Sequence, residues 1–198
     1  MNSIEWDPAV EAMGALAEPG HTILEAAARI PNAPGLYAVH GQPETWRMLG
    51  LEARGPGIPL YLGKSEDDLV RRDLKTHFAI DRGVRSTTGS STVRRSFAAL
   101  LREPLQLRGV PRNRSKPNHF SNYALEQDAD DRLSDWMHKH LTLAVWPKPA
   151  GLELSLAEVE KRVLRRWGPP LNLTHVPTPL ERLRAARAVV AAEARALA

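Results

Sequence analysis

The sequence contains no cysteine. This absence excludes disulfides, zinc sites built on thiolates and a cysteine nucleophile. Glycines are too sparse for a phosphate-binding loop of the nucleotide-hydrolase or dinucleotide type, so ATP and NAD are not expected as ligands. No apolar run approaches membrane-spanning length, and the N-terminus has neither a basic start nor an apolar stretch. We therefore expect a cytoplasmic protein without a membrane partner.

Histidine metal sites are also disfavoured. The chain has 7 histidines, and the closest pair is His138 and His140. Residues at i and i+2 of a helix point away from each other, so this pair is a poor zinc site.

The composition is that of a globular protein with a basic segment. The 198 residues are enough for one domain with helical extensions, and the net charge is +4 with a pI of about 9.7. Between Tyr61 and Lys116, 13 lysines and arginines face 6 acidic residues, a local charge of 13 minus 6, or +7. Such a segment fits a polyanionic partner.

Two tyrosines lie in short apolar runs that predict β-strands. Tyr37 is within Gly35 to His40, and Tyr61 is within Pro59 to Gly63. Because side chains alternate along a strand, pairing of these strands can place both phenols on one face and the leucines on the other. Ordinary sheet packing would explain two strand tyrosines equally well.

The residues that follow give this pair its significance. After Tyr61-Leu62-Gly63 come Lys64, an acidic first helical turn, and a helix that carries Arg71, Arg72 and His77. A later helix contains Glu158 and Glu160 and is followed by Asn172 after two prolines. In this order, the residues from Pro31 to Asn172 resemble the GIY-YIG endonuclease superfamily, whose two tripeptides stand here as Gly35-Leu36-Tyr37 and Tyr61-Leu62-Gly63.

The resemblance implies an α/β (α+β) fold in which helices flank a small, mostly antiparallel three-stranded sheet. It also implies a DNA endonuclease that uses Mg²⁺ or Mn²⁺. Tyr37 would be the general base or its relay, and Tyr61 would orient the water or the phosphate. Lys64, Arg72 or the metal would supply the positive charge that lowers the pKa of a phenol, because an unperturbed phenol, with a pKa of ~10, is a poor base.

Several assignments stay open between neighbours. Arg72 is preferred to Arg71 as the helix arginine, although Asp73 disturbs the spacing typical of the family. Glu160 is preferred to Glu158 as the single metal ligand, because it precedes Asn172 by twelve residues, a spacing similar to that in bacterial excision-repair members of the family. Glu158 instead has a structural explanation as the capping acid at the start of its helix. A single carboxylate suffices, because Mg²⁺ keeps much of its hydration shell.

Further residues have both a functional and a structural interpretation. His77 is a second candidate base, or a packed histidine on the apolar stripe of its helix. Arg94 and Arg95 stand near a helix N-terminus, where a phosphate would offset their unfavourable position, or they lie on a solvated face. Together with Arg71, they are candidate nucleic-acid-binding residues. Asn172 is a further candidate, or it pins the final turn to the sheet.

The remaining elements follow from periodicity and capping signals. Domain organisation is predicted as an N-terminal helical extension (1–30), a nuclease-like domain (31–176) and a C-terminal helix (177–198). Helices and a third strand are predicted at these positions: Pro8 to Ala17, Thr22 to Ile30, Ser91 to Leu101, Asp128 to His140, Leu154 to Trp167, Leu180 to Leu197, and the strand Leu141 to Trp146.

Three functions are compatible with these features. The first is a metal-dependent endonuclease in repair, restriction or defence, with a possible homodimer if both DNA strands are cut. The second is a nucleic-acid-binding or regulatory module that has the fold but cuts weakly or not at all. The third is an adaptor that binds a protein partner through its last, alanine-rich helix.

Overall fold

A computed structural model of the chain describes most of its residues. The described residues are 6–26, 28–70, 77–78, 88–113, 115 and 121–197. Within them, none of the helices has both the length and the apolar character needed to cross a lipid bilayer.

A four-stranded antiparallel sheet organises the described part of the chain. Its strands, labelled in chain order, are β1 (His21–Thr22), β2 (Gly35–Gly41), β3 (Tyr61–Ser65) and β6 (Leu141–Pro147). They are arranged in the order β1-β6-β2-β3, so that β3 is an outer strand. Two further short strands, β4 (Gly109–Val110) and β5 (Ala124–Leu125), form a separate antiparallel pair.

Seven α-helices are present in the described residues. They are α1 (Pro8–Ala17), α2 (Ile23–Ala26), α3 (Pro43–Met48), α4 (Thr92–Leu100), α5 (Gln127–His140), α6 (Leu156–Trp167) and α7 (Glu181–Ala196). The predicted α+β class and the antiparallel sheet are therefore confirmed, with a two-residue strand added at one edge. The second tyrosine strand begins at Tyr61 instead of Pro59, and the helix predicted from Thr22 to Ile30 is shortened to α2.

Side chains define the helix boundaries as the sequence signals predict. The Asp7 carboxylate accepts a hydrogen bond from the Ala9 amide (2.9 Å) at the start of α1. At the start of α6, Ser155 Oγ accepts from the Glu158 amide (3.2 Å). Gly168 ends α6 in the left-handed conformation (φ 57°), which glycine adopts without strain, and a proline follows.

The alternation of side chains in β2 and β3 separates two apolar cores. Leu36, Ala38 and Leu62 lie on one face of the sheet, where α1 and α6 cover them. Tyr37 and Val39 lie on the other face, in the core to which α4, α5 and α7 contribute. The N-terminal and C-terminal helices thus each bury a stripe of apolar residues in one of these cores. The predicted domain boundaries remain predictions.

Gly63 is required by the packing of Tyr37. Tyr37 is directly opposite Gly63 in the pairing of β2 with β3. A Cβ atom at Gly63 would lie 2.4 Å from both Cζ and Oη of Tyr37, far inside van der Waals contact. The Tyr37 ring therefore lies directly over the glycine, and only a residue without a side chain fits beneath it.

We predict that Gly63→Ala lowers the free energy of unfolding by ~1–3 kcal/mol, because the buried tyrosine must be displaced. Chemical denaturation followed by circular dichroism measures this effect. Gly14→Ala is the matched control, since Gly14 lies on the exposed side of α1 with no atom within 4 Å of the added Cβ. The control variant should be as stable as the native chain or more stable. Equal stability of both variants would contradict the proposed packing of Tyr37 on Gly63.

Candidate active site

The two motif tyrosines lie side by side on one face of the sheet. Val39, two residues after Tyr37, is directly opposite Tyr61, so both tyrosines project from the same face. Their ring centroids are 6.1 Å apart with planes inclined at 34°. Tyr37 is only 2% exposed, whereas Tyr61 is partly exposed. The predicted pairing of the two phenols is confirmed, and only Tyr61 is readily accessible from solvent.

His77 packs against the inner tyrosine. Its ring centroid lies 5.6 Å from that of Tyr37, and its side chain is buried. The Nδ1 atom lies 2.7 Å from Oγ of Ser91, the residue that caps α4. His77 is therefore positioned by the start of α4, as the structural interpretation expects, and it is close to Tyr37, as a functional role requires.

Lys64 projects from the opposite face of β3. It pairs across the strands with Leu36, whose side chain lies in the core beneath α1 and α6. The Lys64 ammonium group forms an ion pair with Glu66. Lys64 therefore does not share the face of the sheet occupied by Tyr37 and Tyr61.

Glu160 joins Lys64 and Glu66 on that face. It is a half-buried residue of α6, the helix that packs on the leucine side of the sheet. Burial raises the pKa of Glu160 to about 7, the nearby Lys64 opposes this shift, and Glu66 adds to it. We call Lys64, Glu66 and Glu160 the acidic cluster, and Tyr37, Tyr61 and His77 the tyrosine group.

The acidic cluster offers carboxylate oxygens, which are suitable ligands for a hard divalent cation. Glu160 forms no ion pair with any described residue, and two carboxylates lie near each other. Oxygen ligands of this kind fit Mg²⁺ or Mn²⁺. The described residues include no cluster of three or more His, Cys, Asp or Glu side chains that could hold a metal alone. An ion at this place would therefore complete its coordination with water or substrate oxygen.

Glu158, the alternative metal ligand, is less suited to hold a metal than Glu160. The side chain of Glu158 is 41% exposed and forms an i,i+4 ion pair with Arg162 (3.5 Å). Its backbone amide donates to Ser155 Oγ, which confirms Ser155 as the cap of α6, whereas the Glu158 carboxylate is paired with Arg162 and not with the cap residue. Arg71 and Arg72 lie outside the described residues, so their predicted roles remain predictions.

The structure corrects the predicted phosphate contact of Arg94. This side chain is 0% exposed and forms an ion pair with Asp130 (3.1 Å). Its nitrogens donate to Thr88 Oγ1 (3.1 Å), the His77 carbonyl (3.0 Å), the Asp130 carbonyl (3.0 Å) and Ser134 Oγ (2.9 Å). Burial lowers the pKa of Arg94, and Asp130 opposes the shift. Arg94 is a buried structural cation and cannot reach DNA.

Asn172 also has a structural role, because its side chain holds the segment after α6 against β3. Its Oδ1 accepts from the Leu62 amide (2.9 Å), and its Nδ2 donates to the Leu62 carbonyl (2.8 Å). The Leu171 amide donates to the Leu60 carbonyl (3.0 Å). The segment after α6 thereby satisfies the outer edge of β3 in place of another strand. The buried side chain of Asn172 is consequently not available to bind nucleic acid.

Arg95, although next to Arg94, differs from it in its partners. Its guanidinium donates to the Gly89 carbonyl (2.9 Å) and Thr92 Oγ1 (3.1 Å). No described carboxylate lies within ion-pair distance of it. The sequence alone does not distinguish these neighbours, because the acidic partner of Arg94 comes from α5, 36 residues later.

Together, these features define an α+β domain that pairs two tyrosines across neighbouring strands and has a glutamate on a late helix. The family model for the GIY-YIG catalytic domain matches residues 44–189, which is more than half of the chain. The chain belongs to this family, which is generally one of nucleases. The match includes Tyr61, Glu160 and Asn172 but begins after Tyr37, so the position of Tyr37 in the motif is supported by strand pairing. No match was found among curated proteins or among solved structures.

We predict that Arg94→Met destabilises the protein by ~3–5 kcal/mol, because Asp130 is left buried without its partner cation. Urea unfolding measures the loss. The double variant Arg94→Met, Asp130→Leu should recover part of it, since no unpaired charge then remains. A single variant as stable as the native chain would argue against a buried ion pair.

We also predict a pH-dependent effect of Glu160→Gln in metal-free protein. The folded pKa of about 7 exceeds the ordinary 4.5, so the stability of the native chain falls as pH rises through this interval. Above pH 7, Glu160→Gln should be ~2 kcal/mol more stable than the native chain, and at pH 4 the two should be equal. Thermal unfolding at both pH values tests this.

Glu158→Gln is the matched control for that measurement. It removes a carboxylate from the same helix, but this one is 41% exposed, so the change in stability should stay within ~0.5 kcal/mol at either pH. An equal gain from both substitutions would show that the effect belongs to the helix charge and not to the environment of Glu160.

Proposed function

We propose that the protein is a divalent-metal-dependent endonuclease that hydrolyses phosphodiester bonds in DNA. The observation that carries the proposal is the pair of tyrosine rings on one sheet face, 6.1 Å apart, in a chain of the GIY-YIG family. The basic segment that follows Tyr61 supports a DNA substrate, because phosphate contacts dominate affinity for nucleic acid.

In this proposal the two tyrosines have different tasks. Tyr61 is partly exposed, so its hydroxyl contacts the attacking water or the scissile phosphate. Tyr37 is buried and packs against both Tyr61 and His77, and it acts as a positioning residue or a proton relay. The guanidinium of Arg95 lies near enough to Tyr61 for their charges to interact. Arg72 is proposed as a further cation for the transition state.

Glu160 is the proposed metal ligand. A bound Mg²⁺ or Mn²⁺ would stabilise negative charge on the phosphate oxygens and the leaving group. The ionised carboxylate is required for this, and Lys64 favours it against the effect of burial. Lys64 is therefore proposed to act on the pKa of the metal ligand Glu160 and not on the pKa of the tyrosines. No strand follows β3 in the sheet, but Leu171 and Asn172 bond to its outer edge at Leu60 and Leu62, so substrate is proposed to reach both faces at the Lys64 end of the strand.

A second candidate function has a specific observation in its favour. The acidic cluster lies on the opposite face of β3 from the tyrosine group, and Tyr37 is almost fully buried. A chain in which these groups never meet one phosphate would bind DNA without efficient cleavage. Such a nucleic-acid-binding module would be expected to bind with strong salt dependence.

A nicking assay tests the proposal. We expect the native chain to nick supercoiled, branched or damaged DNA in Mg²⁺ or Mn²⁺, in one strand at a time unless two copies act together. Tyr61→Phe should reduce the rate by ~100-fold or more, because it removes the hydroxyl near the reacting groups. Glu160→Gln should abolish metal-dependent cleavage, and Glu158→Gln should retain it.

The outcomes separate the two candidate functions. Native-level cleavage by Tyr61→Phe and Glu160→Gln would reject the proposed site and indicate a contaminant. DNA binding that weakens with salt, without nicking in any divalent metal, would favour the binding module. Thermal unfolding of each variant distinguishes a loss of activity from a loss of folding.

A further inference from the structure

Two arginines from separate parts of the chain contact the same short turn, and a third arginine lies close to one of them. The turn is a single 3-10 turn, Thr88–Ser90. Arg95 of α4 donates to the Gly89 carbonyl (2.9 Å). The side chain of Arg112 covers the same glycine, where a Cβ atom would lie 2.9 Å from its Cγ, and it donates to Ser90 Oγ (3.3 Å).

The third member is Arg187 of α7, a half-buried residue on a helix that packs against α4. The pKa of Arg95 falls to about 10, first because of burial and then because the positive charges of Arg187 and Arg112 are close. The phenols of Tyr123 and Tyr61 oppose this decrease. The three guanidiniums therefore share one region, and Tyr61 lies beside it.

Among the described residues, no carboxylate pairs with these three arginines. None of the carboxylates that the structure describes lies within 4.0 Å of the guanidinium nitrogens of Arg95, Arg112 or Arg187, whereas Arg94 and Arg102 both have acidic partners. Arg95 is only 7% exposed, and its Nε has no hydrogen-bond partner in the described part of the chain. Grouped cations with unmet donors are unfavourable unless an anion joins them.

We propose that Arg95, Arg112 and Arg187 form a subsite that binds a DNA backbone phosphate next to the one that faces Tyr61. Guanidinium groups suit this ligand, because their forked donors match phosphate oxygens in two-point contacts. Arg112 is exposed and Arg187 is half-buried, so these two reach the phosphate, and Arg95 provides charge from behind. The inference rests on the proposed function, since it assumes that DNA lies across Tyr61.

The test measures binding without cleavage. A fluorescent DNA duplex is titrated with native chain, Arg112→Gln, Arg187→Gln and the double variant in EDTA, at several salt concentrations. Each single substitution should weaken binding by about tenfold. The slope of log affinity against log salt should become shallower by ~0.9 for each phosphate that the protein no longer neutralises. Arg187→Lys should bind more tightly than Arg187→Gln, because it keeps the charge.

Arg132→Gln is the matched control. It removes one exposed arginine from α5, where Arg132 is already paired with Asp128 (2.9 Å). This variant should bind DNA as the native chain does, with the same salt slope. Thermal unfolding of the subsite variants should match the native chain, since neither substituted subsite arginine forms a buried ion pair with a described residue. Unfolding of Arg132→Gln is measured alongside, because Arg132 also donates to the Leu105 and Gln106 carbonyls.

Two results would overturn the inference. One is an equal decrease of affinity in Arg132→Gln and Arg187→Gln, which would indicate a general effect of net charge. The other is native affinity and slope in the double variant. If that result accompanies normal nicking by the native chain, only the subsite fails. Absence of any DNA binding by the native chain would reject the proposed function as well.

Discussion

The contact between the Tyr37 ring and the backbone of Gly63 sets the geometry of the candidate site. Because nothing but hydrogen projects from Gly63, the ring can lie across β3 toward Tyr61. The pairing register of two strands therefore fixes the distance between the phenols, without help from a loop. His77 packs against Tyr37 and adds a third ring to the tyrosine group. Positions defined by strands vary less than positions defined by loops, which suits groups that must share one substrate.

Buried polar contacts extend this order to the helices. Arg94 connects the His77 carbonyl to Asp130 and Ser134 of α5, so the residue beside Tyr37 is tied to a helix distant in sequence. Asn172 ties the chain after α6 to the outer edge of β3. Both residues are polar groups whose hydrogen bonds are completed by protein partners, which is the condition under which burial is tolerated. Part of the basic segment is therefore structural, and its charge does not all face solvent.

Local signals in the sequence predicted most of the elements, and they could not predict which surfaces meet. Strand alternation allowed Tyr37 and Tyr61 to share one face, but only the pairing register, with Tyr37 opposite Gly63, fixes it. The burial of Arg94 depends on Asp130, which no periodicity relates to it. The face approached by Glu160 depends on how α6 docks, and its apolar stripe shows only that it docks. The choice between the two roles of Asn172 likewise required the position of Leu62.

The position of β3 at the edge of the sheet makes the opposed placement of the two groups chemically usable. Tyr61 and Lys64 are three residues apart on one strand, a separation of ~10 Å along it, and they project from opposite faces. In a central strand, helices and neighbouring strands would keep such residues apart. At an edge, a ligand can contact one face and continue past the strand to the other; here it would pass beyond Leu60 and Leu62, where Leu171 and Asn172 bond to the edge of β3. DNA is a ligand of this kind, because its phosphates repeat along an extended backbone. In the proposed function, a metal held by Glu160 and a water held by Tyr61 would act on one strand of DNA only if that strand passed the edge of β3.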